Sequence, residues 1–444
     1  MNQNPLSISL APCSLRWAGV VLVCLGAVML AGCDKPVDEI SPAEGWDDLP
    51  AAAPGPDDWP WWRGPASDNI ARADQEAPLQ WAPDKNVLWR AALGGKGHGT
   101  PCVWGDRIFL AAGDKSAQTI SVLCLDRDTG KEKWRTDVYS GALPSLHRDN
   151  SYASSMPACD GQRVFFAYQT ADAIRMAALD LEGKSIWDEQ VAKYSTRFGH
   201  GASPAIYKSV VIMTADGKSS PSLVALHRKT GKVVWRIPRS ISQDCYGSPL
   251  VAHVAGRDQL FIIGPHKTRS YDPACGKLLW ECDGPSAYAA ATVGFGPNAV
   301  YASGGNPEKA MLAIRADGTG DVTDSHLLWK TDRKAAYVPS PLVSEGLVYA
   351  VTDRGLMRCY DASGGKVIWE RHLHASFYSS PVLVGDRIYV FGKKGKGFVM
   401  RAGRTFEMLA ENSLNDGVFA TPVIVGGRIY LRTLGALYCI STKQ

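Results

Sequence analysis

Residues 100–134 read TPCVWGDRIFLAAGDKSAQTISVLCLDRDTGKEKW, and the fold is decided in this stretch. A hydroxyl residue and a proline open it, at Thr100 and Pro101. Short β-branched and aromatic runs follow, punctuated by Gly105 with Asp106 and by Thr129 with Gly130, and Trp134 closes it. Such runs between Gly/Asp pairs predict strands joined by tight turns, because glycine supplies the positive φ these connections need.

The same grammar recurs to the end of the chain. Prolines or their equivalents fall at Pro101, Pro157, Pro204, Pro249, Val293, Pro341, Pro381 and Pro422, and six of the steps span 40 to 48 residues. A period of that length is the mark of a propeller blade. Eight residues after the proline stand Phe109, Phe165, Ile212, Tyr301, Tyr349, Tyr389 and Tyr430, with only the Pro249 unit stretched. Trp134, Trp187, Trp235, Trp280, Trp329 and Trp369 close the units, with Phe406 standing in once. Rings of this size are expected to wedge between neighbouring blades. The last unit, Thr421 to Ile440, has three strands and no closing tryptophan, whereas Lys85 to Trp89 reads as an orphan strand. Pairing the two would hide both edges. The expectation is an all-β, eight-bladed β-propeller over residues 85–444, its last blade closed by the N-terminal strand.

The segments before it read differently. Arg16 precedes an apolar run from Trp17 to Leu30, long enough for a signal-peptide core and short for a membrane-spanning helix. Leu30, Ala31, Gly32 and Cys33 resemble a bacterial lipobox, which implies export, a signal peptide over 1–33 and lipidation of Cys33. The chain would then be anchored to a membrane, inner or outer left open, and face the periplasm. Residues 34–56 are rich in proline and acidic groups and read as a tether. Residues 57–84 hold Trp59, Trp61, Trp62 and Arg63; three exposed tryptophans would be an aggregation hazard, so this segment is expected to pack on the flank or close over one face as a cap. The 48 Lys and Arg against 44 Asp and Glu leave a formal charge of +4, too even a balance to gather nucleic acid.

The Asp-x-x-Thr-Gly-Lys-x-x-Trp element, seen at Asp126 to Trp134 and loosely at Asp272 to Trp280 and Asp361 to Trp369, resembles the repeat of the pyrroloquinoline-quinone propeller family, which takes in quinoprotein alcohol dehydrogenases and BamB-type assembly lipoproteins. The stretch Asp58 to Pro65 resembles the Trp-Pro-x-Trp-Arg-Gly-Pro opening of propeller proteins common in planctomycetes, as do His147 to Pro157 and Arg197 to Pro204. The enzyme branch of the resemblance implies an adjacent cysteine pair against the quinone, a calcium site of Glu, Asn and Asp, and an aspartate base. No Cys-Cys dipeptide occurs, and units of this length leave no room for a long lid.

In propellers, the loops that enter the innermost strands line one mouth of the central channel. The candidate ligand-binding residues there are His98, Asn150, Tyr152, Arg197, His200, Gln243, Tyr246, Tyr288, Tyr337, Tyr378 and Phe419. Flat aromatic faces with a few fixed polar groups suit a small molecule or a peptide. The alternative is that these side chains fill the axis and satisfy one another. His98 and His200 lack an evident third ligand, His372 and His374 share a rim strand, and eight scattered cysteines show no metal spacing, so neither metal nor cofactor is expected. The glycine stretches at Gly94 to Gly97 and Gly392 to Gly397 lack the phosphate-loop pattern and read as turns. No catalytic residues are assigned. The expected role is a non-catalytic, membrane-tethered scaffold, monomeric, that binds an envelope protein or periplasmic ligand, BamB-like assembly of outer-membrane proteins being one version. The competing role is a quinone- or metal-dependent oxidoreductase.

Overall fold

The computed structural model describes residues 49–442 apart from 194, 195, 197, 242 and 333. Cys33, the leader and most of the tether lie outside the described residues. The described residues form eight four-stranded antiparallel sheets, two of them with a short extra parallel strand. Blade 1 shows the plan: Cys102–Trp104 innermost, then Arg107–Asp114, Thr119–Asp126 and Glu132–Ser140 outermost. Blades 2 to 7 repeat it through Met408–Ser413. Blade 8 is composite: Val423–Val425, Arg428–Arg432 and Ala436–Ile440 are completed by Val87–Ala92, with Trp89 opposite Cys439. The all-β eight-bladed propeller and its closure by the N-terminal strand therefore stand. Among the described residues, no helix is long and apolar enough to cross a membrane.

Register explains the eight-residue ruler. In blade 1, Phe109 pairs with Cys124 and Cys124 with Trp134, so one row of side chains crosses the sheet. The ring of Phe109 packs at a tilt against Trp134 at 5.9 Å, and Phe165–Trp187, Tyr301–Trp329, Tyr349–Trp369 and Tyr430–Trp89 repeat the pair at 5.8 to 6.1 Å. In the stretched blade, Phe261 takes that place against Trp280. Each such pair adds roughly 0.5–1.5 kcal/mol to the burial of the rings themselves.

The tryptophans also reach the next blade. Trp134 donates its indole N–H to Leu181 O, Trp187 to Arg228 O, Trp235 to Pro273 O, Trp329 to Ala362 O and Trp369 to Gly403 O. The next blade's turn glycine makes room: at Gly183, with φ +85°, a Cβ would come within 2.6 Å of Trp134. Trp280 departs from this rule, donating instead to Gln259 within its own blade. Phe406 is a correction. In blade 7 the row runs Tyr389, Val399, Ala410, so the tryptophan slot holds an alanine. Phe406 packs edge-on against Trp369 of blade 6 instead, at 5.2 Å. The hole left by Ala410 is filled from the N-terminal segment by Trp81, which stacks on Tyr389 and Phe391 and lies where a Cβ on Gly397 would collide.

Residues 57–84 cross the face of the propeller opposite the entry loops. Trp59 is 1 % exposed and bridges Val103 of blade 1. Pro60 O accepts from Cys159 N of blade 2. Trp62 donates to Thr292 Oγ1 of blade 5, and Arg63 to Pro341 O of blade 6. Ile70–Ala71 then adds in parallel to Val382–Val384 of blade 7. Gly64, at φ +83°, lies under the Trp59 ring, where a Cβ would sit 3.1 Å from it. The segment thus staples five blades on its way to the strand that closes the ring.

Candidate functional site

Strand alternation sets up the site. Counting back from each blade's proline, the third residue and the first face the axis, because side chains two apart point the same way along an extended chain. The third-residue ring is His98, Ser154, Gly201, Tyr246, Ala290, Val338, Tyr378 and Phe419. The first-residue ring is Thr100, Met156, Ser203, Ser248, Thr292, Ser340, Ser380 and Thr421. Small residues stand between them and face the blades.

Above the upper ring the entry loops open into a cup of about 570 Å³. His98, Asn150, Gln243, Tyr246, Tyr288, Tyr337, Tyr378 and Phe419 all line it, together with Asp149, Phe198, Lys218, Asp244 and Asn306. Of the other candidates, Tyr152 lines a neighbouring groove and donates its hydroxyl to Pro144 O. His200 is buried beneath the loop, its Nε2 3.0 Å from Ala202 O. Arg197 lies outside the described residues.

The aromatic wall is held by partners that the sequence did not reveal. Lys393 Nζ stands 4.1 Å from the centre of the Tyr378 ring and 4.9 Å from that of Phe419, and 3.5 Å from Asp149 Oδ2. Tyr378 donates its hydroxyl to the same Asp149 oxygen at 3.2 Å. Burial alone would raise the Asp149 carboxyl, but Lys393 and Tyr378 outweigh it and hold Asp149 below its usual range. Burial, with Asp149 beside it, pushes the Tyr378 phenol up to about 12. Asp353 accepts from the backbone N–H groups of Tyr337 and Val338 and so fixes that loop. Tyr246 and Thr196 both donate to Asp244 Oδ2. Asp353 and Lys393 each stand twelve residues past their blade's proline, between its second and third strands, a register that the sequence reading did not follow.

His98 packs on Phe419, with ring centroids 4.4 Å apart. Burial, then the nearby Arg432 and Lys393, lowers its pKa to about 3, which keeps the imidazole neutral. Ser154 Oγ lies 3.4 Å from His98 Nδ1 but donates to Asn150 Oδ1 at 2.5 Å. The hydroxyl also lies 3.2 Å from Ser151 O, so it has oxygen acceptors besides the imidazole.

Below the cup the two rings enclose a shaft of about 120 Å³ that ends on Trp62. The lower ring also bonds blade to blade. Met156 N donates to Ser203 Oγ, Ser203 N to Ser248 Oγ, Thr292 N to Ser340 Oγ, Ser340 N to Ser380 Oγ and Ser380 N to Thr421 Oγ1, all at 2.8 to 3.0 Å. This is the structural use of the hydroxyl that precedes Pro204, Pro249, Pro341, Pro381 and Pro422.

The propeller-repeat family described as "Outer membrane protein assembly factor BamB" matches residues 70–196 and 269–444. The chain belongs to that family. Among curated relatives, the tetrathionate hydrolase of Acidithiobacillus ferrooxidans is 24% identical over 73% of this chain and 69% of its own length. The outer membrane protein assembly factor BamB of Shewanella oneidensis is 21% identical over 71% of this chain and 64% of its own length. The chain thus spans about two thirds of either relative. Among solved structures, a europium-containing methanol dehydrogenase superposes with a TM-score of 0.64 at 14% identity, over 86% of this chain and 91% of that one. At such identity the superposition speaks for the fold alone.

The adjacent cysteine pair that the dehydrogenase resemblance implies does not occur in the sequence. The eight described cysteines form no disulfide, seven of them are buried, and Cys102 of blade 1 lies beside Cys159 of blade 2. Among the described residues, no three His, Cys, Asp or Glu groups come close enough together to hold a metal ion.

Proposed function

We propose that this BamB-family propeller is a non-catalytic binding module of the cell envelope, tethered through Cys33, that holds its ligand in the aromatic cup. The observation that carries this reading is the blind cup itself. Loops from all eight blades converge on it, and Trp62 stops the channel beneath. A recess of about 570 Å³ is the size of a small-molecule pocket. It admits a small molecule or the end of a partner chain rather than a flat protein epitope. The aromatic faces supply contact area, and Gln243 and Asn306 supply orientation. Ser154 has oxygen acceptors in Asn150 and Ser151 besides the imidazole, an arrangement that favours holding a ligand over attacking one.

Native mass spectrometry of the protein taken from its own envelope tests the proposal. A defined adduct on the wild type that is lost in Tyr288→Ala and Tyr378→Ala is the expected result. An adduct that survives both substitutions, or steady dye-linked oxidation of alcohols or sugars by the purified protein, would replace the reading.

A further inference from the structure

The lower ring holds more hydrogen-bonding capacity than the blades use. Ser203, Ser248, Ser340, Ser380 and Thr421 each accept one backbone N–H, and each is 8 % exposed or less. None of the five hydroxyls has an acceptor for its own O–H among the described residues. A hydroxyl carries one donor and two lone pairs, so the bonds between blades fill lone pairs and leave five donors around one narrow shaft. A buried donor without an acceptor costs about 1–3 kcal/mol, so the ring calls for an occupant rich in lone pairs. Carboxylate is the common group that accepts at about four sites and donates at none. Its hydrogen bonds from hydroxyls are short and charge-assisted.

One charge behind the shaft's wall favours an anion. Of the aspartates in the loops above, Asp149 is paired with Lys393, and Asp244 and Asp353 are held by hydrogen bonds from neutral donors. Arg432 is 1 % exposed, has no carboxylate partner among the described residues, and leaves Nε and Nη2 without hydrogen bonds. It lies behind the wall at Gly97 and Gly99, where its Nη1 donates to Gly99 O. Burial without a counter-ion lowers its pKa to about 9, so it remains a cation at neutral pH with nothing to neutralise it. The shaft, at about 120 Å³, has room for a head group or about four waters at ~30 Å³ each. Its floor is Trp62, whose N–H is already committed to Thr292.

We propose that the cup and shaft form one site for an acid whose carboxylate descends into the hydroxyl ring while its apolar body rests against Tyr246, Tyr378 and Phe419. This inference rests on the cup reading above and adds the head group to it. The source is a small organic acid or the C-terminal carboxylate of a chain, and both carry the same chemistry.

The test uses the full chain labelled with 5-fluorotryptophan, the Trp62 fluorine resonance being assigned through Trp62→Phe. The probes are 3-phenylpropanoate against its methyl ester, and tri-alanine against its C-terminal amide. At least one acid is expected to move the Trp62 resonance saturably, with its ester or amide bound at least about tenfold more weakly. Ser340→Ala with Ser380→Ala is expected to weaken the acid and leave the ester unchanged. Binding of 3-phenylpropanoate alone marks a small molecule as the source, and binding of tri-alanine alone marks a chain terminus. Equal affinity for acid and ester, or acid binding that leaves Trp62 unmoved, overturns the head-group inference while the cup reading stands. Failure of every probe at tens of millimolar overturns it as well, and the native adduct then judges the cup by itself. The acid and ester comparison is made on the wild type, so it holds even where a ring variant misfolds.

Discussion

The two ends of the central channel are built from the same eight inner strands and end in opposite ways. At one end Trp59, Trp62 and Arg63 cross the axis, with Trp59 and Arg63 each 1 % exposed and bonded across blades. At the other the entry loops stand apart around a cup lined by aromatic and polar side chains. The closed end is where apolar area leaves water, and the open end is where rings and polar groups, held by partners within the wall, border a recess. Cohesion and recognition are thus separated along one axis, so that a change in the cup need not loosen the ring.

Substitutions should respect that division. Trp59→Ala, at the closed end, is expected to lose about 3–5 kcal/mol, the range for a buried aromatic truncated to alanine, read as a lower urea midpoint. A loss below about 1 kcal/mol would mean that the segment merely lies on the face.

Acid should act on the open end next. His200 is buried and its pKa is depressed to about 4 by desolvation. Its unfolded counterpart takes up a proton near pH 6.5, so stability is complete above that value and is lost as pH falls toward about 4. The loss is on the order of 3 kcal/mol. Urea midpoints between pH 7 and 4 should fall steeply in the wild type and less so in His200→Gln. Parallel slopes would move the acid sensitivity elsewhere.

Trp62→Ala, half-exposed and at the meeting of the two ends, should cost about 2 kcal/mol and open the shaft from below. Acrylamide quenching of the remaining tryptophans, compared with wild type, checks the opening. Lys393→Gln, in the partly exposed pair with Asp149, should change stability by less than about 1 kcal/mol. A larger thermal shift would show the open end to be structural too.

Much of this was legible before any coordinates. The aromatic eight residues past each proline and the closing tryptophan mark one row across a sheet, and a row is a local property of strand register. The orphan strand at Lys85 to Trp89 announced the closure because the last unit lacked its own fourth strand. Phe406 misled because it is an aromatic close to the expected position; the eight-residue step that leads from Asp126 to Trp134 leads from Ala402 to Ala410, and the pairing of Val399 with Ala410 confirms that register. Trp81 could not be read as its replacement, since the two segments lie more than three hundred residues apart in the chain.

The site divides in the same way. The hydroxyl before every one of these prolines but Pro157 was visible as a repeated letter, and eight of the mouth candidates were found from their place ahead of the inner strands. Lys393, Asp353 and Arg432 were not: they stand ten or twelve residues after the prolines, and only packing shows that this part of a blade reaches the mouth. The sequence by itself determined the number of blades and the closure of the ring, because strand alternation and turn chemistry act within a few residues. Only the tertiary structure decided what faces what across the axis. One ring of hydroxyls, a neutral histidine and a tryptophan floor become neighbours when eight units close into a circle, and no local pattern records that meeting.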